Sequence, residues 1–517
     1  MTGYTRRDAL TALALLVLAL ALGAGAMDIG HVWGDDFAGY LLEGRAIAQG
    51  RLEEQAQLNA ILHPSERAFG GRREEGPLVY ALGLPALLAL IFRATGCVRP
   101  EGAALLLFKL PGLLAFAAFA VLLYLFYRRR FGWGASLVLT LLLVLNTEVI
   151  GECNLIMTDM LCLTGTVAAL LELELLLDET RPRKAALHGT LLGLSLLLTC
   201  LVRLNGVTVV VIVLIGHAVG LLTRRSALRP VWRQLLPYAL LLALYGLVHL
   251  LFPEPNSNTG HIASGSNAWI LHNISYYHYL VRQWVTDMLP GGFPSPEAAV
   301  YAFYALIVLG MLTGPVRRNL HFAAFVLGTY AVLYLLPYVQ TLRYMFGILP
   351  LMLLFAANGT AFLAARIGRL LRNARVRRAA CALGCAALVL MTAGMALRTA
   401  RWEWAHLESG GWRYRHGAYS EDAEAAYDYI RTNTQADERI AFYKPRALYL
   451  NTDRVSFAPG VNGNRFRDAD YLMLNRDEEI DDVQARMWPE LWVELTPVYE
   501  NDSLILYRIS EAYRSAP

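Results

Sequence analysis

Long apolar runs, separated by short stretches rich in arginine, constrain this chain more than any other feature. Ala9–Met27 holds 19 residues without a charge, about the length a helix needs to cross ~30 Å of hydrocarbon. Comparable runs are Leu110–Tyr127, Phe131–Thr147, Met160–Leu177 (carrying Glu172 and Glu174), Ala185–Val202, Leu204–Thr223, Leu235–Pro253, Ala298–Pro315, Leu320–Leu342, Tyr344–Ala365 and Ala379–Leu397. A soluble domain has nowhere to bury so many continuous apolar segments. The composition, 56% hydrophobic against 17% charged, agrees. Arg6, Arg7 and the first run also resemble a secretory signal peptide, but that run is long for a signal core and ten more follow. The expected fold is an all-α polytopic membrane protein of about eleven transmembrane helices with a small C-terminal α/β extracytoplasmic domain.

Gly76–Phe92 is apolar too, and the basic residues decide its status. With a cytoplasmic N-terminus and no crossing by Gly76–Phe92, about twenty arginines and lysines fall in cytoplasmic segments, among them Arg128–Arg130, Arg224, Arg225, Arg317, Arg318 and the cluster from Arg366 to Arg378. The short turns on the other side keep Arg203, Arg282 and Arg343. A crossing by Gly76–Phe92 would reverse nearly all later loops and violate the positive-inside tendency. Pro77, Pro85 and two glycines also suit a broken re-entrant or interfacial segment on the outer face. The chain divides into a membrane domain over residues 1–397, with outer loops at 28–104 and 253–297, and an outer domain over 398–517. The expected location is the cell (inner) membrane.

The tail reads as α/β. Ser420 precedes Glu421 and Asp422 as a helix start, and Ala423, Ala426, Tyr427 and Ile430 form one apolar face. Arg439–Tyr443, Arg454–Ala458 and Ala469–Leu474 read as strands; Pro497–Glu500 and Leu504–Ile509 flank Asn501–Asp502 as a hairpin. None of the six cysteines lies in this tail, so no disulfide framework holds it. Cys381 and Cys385 have no His or Asp beside them and read as packing residues. No nucleotide-phosphate loop, HExxH or serine-nucleophile elbow is present.

The ionisable residues at the outer ends of the runs carry the chemistry. Asp35 and Asp36 follow Gly34 at a helix start just after the first run, with Asp36, Tyr40, Glu43 and Ile47 on one face. Capping accounts for one carboxylate; two beside a span suggest a raised pKa and a general base. Glu74 and Glu75 precede Gly76-Pro77, a solvated turn on the simplest reading. Asp159, after Thr158, starts the fourth run and is equally well read as a helix cap. Arg203, Arg343 beside Tyr344, and Arg282 lie in outer turns, where snorkelling to headgroups competes with clamping a phosphate.

At these residues the chain resembles the C-type glycosyltransferase superfamily, membrane enzymes that take sugar from a polyprenyl-phosphate carrier. The branch is that of the dolichyl-phosphate-mannose protein mannosyltransferases and the lipid A aminoarabinose transferases. Asp36, Tyr40 and Gly50 match the motif after the first span; Glu74-Glu75-Gly76-Pro77 with Tyr80 matches the acid-x-Pro-Pro-type segment, without its first proline; Asp159 matches the second acidic position; Arg343-Tyr344 and Pro350 match the late segment. The resemblance implies Asp36, aided by Asp35, as base toward an acceptor hydroxyl, and inversion at the sugar carbon. Arg343, Arg203 and Arg282 would stabilise the leaving phosphate, while Tyr40, Tyr344, Glu74, Glu75 and Asp159 position substrate. It implies a polyprenyl-phosphate sugar donor and a glycan, glycolipid or protein acceptor. No cofactor is obligatory and no nucleic acid is involved; Glu74 and Asp159 leave room for a divalent cation. Two other classes fit a polytopic chain: a transporter or flippase of lipid-linked sugars, and a non-catalytic binder of carrier lipid. The acids lie at span ends rather than mid-span, which disfavours transport.

A reporter fused after Pro517 is expected to read extracytoplasmic; a cytoplasmic signal would reverse the placement of every residue above.

Overall fold

A computed structural model describes residues 4–62, 76–203, 206–223, 231–252, 267–289, 295–313, 316–335, 342–370, 373–458, 466–476 and 495–515. The membrane part contains α1 (Arg6–Ala26), α2 (Asp35–Gln49), α3 (Leu52–Leu62), α4 (Gly83–Thr95), α5 (Ala103–Arg128), α6 (Trp133–Val144), α7 (Thr147–Gly151), α8 (Asp159–Asp178), α9 (Pro182–Val202) and α10 (Val207–Thr223). It continues with α11 (Val231–Leu251), α12 (Asn267–Met288), α13 (Pro296–Thr313), α14 (Val316–Leu335), α15 (Leu349–Leu370) and α16 (Ala374–Glu408).

Among the described residues eight helices are long and apolar enough to cross a membrane. A ninth span forms if α6 and the segment Thr147–Asn154, bent by 61°, are taken together, and α10 and α14 are shorter apolar helices. Large apolar side chains stand exposed on their outer faces, such as Leu10 and Leu13 on α1, Leu242 and Leu250 on α11, and Leu383 and Leu390 on α16. Water would not tolerate such a continuous apolar exterior, whereas lipid does. α4 is 13 residues long, too short to span at ~1.5 Å per residue. It lies against α2, where Gly44 lets the helices close: a Cβ there would sit 2.9 Å from the Leu88 Cβ. The expected interfacial segment is therefore a short helix preceded by the irregular stretch 76–82.

The loop at 253–297 contains the 22-residue helix α12, which buries Tyr277, Val281, Trp284 and Met288. Its tyrosines, histidines and amides dilute the apolar signal below that of a span, and its apolar residues recur at helical spacing instead.

Charge sorts the helix ends into two groups. At one end Asp8 accepts from Arg128 Nε and from the Tyr124 hydroxyl, each at 2.7 Å. There too Arg129 pairs with Asp178, Arg130 with Glu174, and Arg7 covers the Trp133 ring. At the other end lie the starts of α2 and α8, Arg203, Arg343 and the C-terminal domain, the grouping that the arginine distribution predicts.

α16 runs unbroken past Leu397 to Glu408, so the globular part of the tail begins beyond it. That part contains α17 (Glu421–Asn433), β1 (Ile440–Ala441), α18 (Pro445–Thr452), β2 (Ser456–Phe457), β3 (Tyr471–Asn475), β4 (Leu495–Glu500), β5 (Leu504–Ile509) and α19 (Glu511–Ser515). Ser420 caps α17 by accepting from the Ala423 amide. The strand order is β2-β1-β3-β5-β4, with β1 parallel to β2 and β3, and β5 antiparallel to β3 and β4. α18 makes the crossover that a parallel β1–β2 pair needs. β3 alternates between two cores: Tyr471 and Met473 face α17 residues such as Tyr427 and Ile430, while Leu472 and Leu474 face Phe457 and Phe466.

The domain is fastened by a buried polar knot. Lys109 on α5, wholly buried, donates to the Asp28 carbonyl (2.8 Å), the Gly30 carbonyl (2.6 Å) and Asn154 Oδ1 (2.7 Å), and pairs with Asp28 Oδ1 at 3.2 Å. Asp28 Oδ2 accepts from Asn154 Nδ2 and lies 3.4 Å from His416 Nε2 of the tail. Next to it His31 bridges to Gly417, its carbonyl accepting from the Ala418 amide at 2.9 Å. Burial, reinforced by the Lys109 charge, pushes the His31 ring down to about 3. The ring is thus neutral, accepting from the Ile156 amide at Nε2 and donating to the Val32 carbonyl from Nδ1. Replacing Lys109 by Met should cost about 3–5 kcal/mol by leaving Asp28 buried without its ammonium partner. The checks are a lowered melting temperature and protease access to the tail; a wild-type melting curve would refute the knot's role.

Candidate functional site

The site forms where the starts of α2 and α8 meet a 3-10 turn, Leu342–Ile348. Asp35 and Asp36 occupy the first turn of α2, and Gly34 caps it without a side-chain hydrogen bond. Neither aspartate is needed as a cap, and both reach other partners.

Asp36 Oδ1 accepts from the Tyr80 hydroxyl at 2.9 Å, and Oδ2 faces Arg343 Nη2 at 3.3 Å. Its side chain is 41% exposed and open to an incoming molecule. Asp35 turns the other way: its Oδ1 accepts from the Arg446 amide at 2.8 Å and its Oδ2 from Arg446 Nη1 at 3.3 Å. Burial pushes the Asp35 carboxyl up from its ordinary range while Arg446 pulls it down. The two neighbouring acids therefore have separate surroundings, one facing the cleft and one tied to the tail.

Asp159 is no helix cap either. Thr158 precedes α8 without a capping bond, and Asp159, buried, pairs through Oδ1 with Arg203 Nη1. Arg203 and Arg343 both lie over the Tyr344 ring, with their Cζ atoms 4.9 and 5.7 Å from its centroid. Tyr40 is buried and packs on Tyr80, ring centroids 4.4 Å apart. Arg282 stands apart, paired with Glu297 at 2.8 Å. Glu74 and Glu75 lie outside the described residues.

Beneath the arginines is a cavity of about 530 Å³ between α8, α10 and α14. Asp159, Arg203, Arg343 and Tyr344 line it together with apolar residues such as Leu163, Val209, Ile212, Phe325, Val332 and Leu333. Asp159 Oδ2, Arg343 Nε and Glu152 Oε2 are buried without a hydrogen-bond partner among the described residues. Asp159 and Arg343 line the cavity, and unsatisfied polar atoms there are costly unless they serve a ligand. Among the described residues no three His, Cys, Asp or Glu side chains converge as a metal set. Asp35, Asp36 and Asp159 are instead matched to guanidinium groups.

Three contributors are not singled out by the sequence. Glu152 becomes relevant only because the bend after α6 turns it toward Asp159 and Arg343. Arg446 follows Lys444-Pro445, and proline at the first position of α18 signals a helix start, but nothing local names its distant partner. Glu43 is visible on the Asp36 face of α2, yet its role is tertiary: Oε1 accepts the amides of Val79 (2.6 Å) and Tyr80 (3.2 Å) and so fixes Tyr80 beside Asp36.

Fold and site together define a polytopic membrane protein with an acid–arginine cleft roofed by an α/β domain. ArnT from Cupriavidus metallidurans, solved bound to undecaprenyl phosphate, superposes with a TM-score of 0.57 at 14% identity over 98% of this chain and 99% of that one. The oligosaccharyltransferase AglB from Archaeoglobus fulgidus, in complex with an inhibitory peptide and a dolichol-phosphate, gives 0.53 at 11% identity over 98% and 75%. No family model and no curated protein matches the sequence. The chain shares the fold of these structures over nearly its whole length.

Burial pushes the Glu43 carboxyl up to about 8. A carboxyl raised in the folded state binds its proton more tightly there than in the unfolded chain. The stabilisation is full below the ordinary glutamate range and is lost as pH rises through about 8. Wild-type melting temperature should therefore fall between about pH 5 and pH 9. Glu43→Gln keeps an acceptor for Val79 and Tyr80 and should flatten that fall; an unchanged slope would exclude Glu43 as its source.

Proposed function

We propose that the protein is a membrane glycosyltransferase that moves a sugar from a polyprenyl-phosphate donor to an acceptor hydroxyl, with inversion, at the face that carries the C-terminal domain, and that this face is extracytoplasmic. The observation that carries the reading is the apolar cavity headed by Arg203 and Arg343. Its walls suit an isoprenoid chain and its head suits a phosphate, since guanidinium matches phosphate oxygens geometrically. Arg343 joins this cavity to Asp36, so donor phosphate and base would meet across one side chain. The fold shared with proteins solved on undecaprenyl phosphate and dolichol-phosphate supports the same ligand class.

In the reaction the Asp36 carboxylate takes the proton of the acceptor hydroxyl as that oxygen attacks the sugar carbon. The bond from that carbon to the phosphate oxygen breaks, and its electron pair leaves with the polyprenyl phosphate. The leaving group gains one negative charge, which Arg343 and Arg203 offset. No general acid is required, because phosphate departs as an anion. Asp159 holds Arg203 toward the cavity rather than acting on the sugar itself. Asp35 and Arg282 have structural partners and take no step.

The purified protein in nanodiscs should bind undecaprenyl phosphate and transfer or slowly hydrolyse sugar from one member of a panel of labelled polyprenyl-phosphate sugars. Asp36→Asn should lower turnover by roughly a hundredfold or more while lipid binding persists, and Arg343→Met should weaken lipid binding itself. Movement of the lipid-linked sugar across a vesicle without bond cleavage would replace this reading with a flippase. Full turnover in Asp36→Asn would remove Asp36 as the base.

A further inference from the structure

We propose that Arg446, carried in by the C-terminal domain, is a positioning residue for the Asp36 carboxylate and acts through the Tyr80 hydroxyl; the proposal rests on the reading of Asp36 as the base. Arg446 Nη1 lies 2.8 Å from the Tyr80 oxygen, and the Tyr80 oxygen lies 2.9 Å from Asp36 Oδ1. The direction of this chain is fixed by chemistry. A guanidinium only donates and a carboxylate only accepts, so the single Tyr80 proton points at Asp36 and its lone pair faces Arg446. A donor bond from a cation makes the phenol a stronger donor in turn. Asp36 is thus held on one oxygen by a polarised Tyr80 and on the other by Arg343.

A docking role alone does not explain the side chain. The tail already docks through the His31–Gly417 bridge, through Trp33 packed on Phe442 and Tyr443, and through the Arg446 amide on Asp35. The guanidinium adds one longer contact to Asp35, Nη1 to Oδ2 at 3.3 Å, while its 2.8 Å bond goes to Tyr80. Arg446 is 3% exposed, and a cation buried that deeply is costly, where an apolar residue would dock as well or better. Space is also cleared for the chain: a Cβ on Gly39 would lie 2.3 Å from Tyr80 Cε2 and 3.2 Å from Arg446 Cδ. Only glycine at this place on α2 lets the ring and the arginine stem lie against the helix that bears Asp36.

The test uses the full chain in nanodiscs as wild type, Arg446→Met, Tyr80→Phe and the double variant. The readout is the rate at which a carbodiimide with a small amine modifies Asp36, followed by peptide mass spectrometry. Each single variant should react about threefold faster or more, and the double variant no faster than either single, because the two residues act in one chain. Arg446→Lys, which retains a cationic donor, should react close to the wild-type rate, and Arg446→Gln, whose donor is neutral, should react faster; this pair replaces the Met variant should that one not fold. Turnover should fall roughly ten- to a hundredfold in Arg446→Met, with the donor KM unchanged, because orientation and not lipid binding is lost. Wild-type labelling in Arg446→Met, or single effects that multiply in the double variant, would overturn the proposal. Failure of the wild type to bind undecaprenyl phosphate would instead overturn the transferase reading, and the labelling rates would still decide the relay.

Discussion

A single ammonium group at the upper end of α5 sets the geometry of the whole domain-bearing face. Lys109 reaches three carbonyl-type oxygens and a carboxylate, drawn from the exit of α1 and the turn before α8. Asp28, gathered into the same knot, is shared with His416 of the tail. Burying one cation with every acceptor satisfied is tolerable; burying it with one missing is not. The segment from Asp28 to Gly34 therefore has one way to leave the membrane, and α2 begins where that path ends. Both aspartates of the site inherit their positions from it.

From there the site is organised by pairing each acid with a particular arginine. Asp35 takes Arg446, Asp36 takes Arg343, and Asp159 takes Arg203. The pairings divide the work. Asp35 binds the tail, Asp159 holds Arg203 against the cavity, and Asp36 is left half exposed at the mouth of the cleft. Glu43 contributes from beneath by clamping the backbone at Val79 and Tyr80. The C-terminal domain is then more than a cover, since α18 delivers Arg446 to within one tyrosine of the Asp36 carboxylate.

Much of this was legible in the sequence because the relevant forces are one-dimensional. Apolar runs of span length, arginine bias between them, the Ser420 helix start and the alternating strand of Ala469–Leu474 all depend on neighbours in the chain. They predicted the polytopic layout, the grouping of Asp36, Asp159, Arg203 and Arg343, the failure of Gly76–Phe92 to form a full span and each strand of the tail. The sequence was less informative where an element mixes signals. α12 is too polar to read as a span, and α18 is short and lies between two strands.

That Asp35, Asp36, Asp159, Arg203 and Arg343 stand near the ends of apolar runs, as candidates for one site, belongs to the sequence, because bilayer thickness acts on each segment alone. The roles within that site belong to the tertiary structure. Asp35 and Asp36 are identical neighbours in a helix start, and no local rule separates them. Which one faces the cleft is decided by Arg446, from a domain some four hundred residues further along. The same holds for Asp159, whose partner Arg203 fixes it as a holder of charge rather than a helix cap. Hydrogen-bond direction and burial are properties of packed neighbours, and packed neighbours are what folding alone brings together.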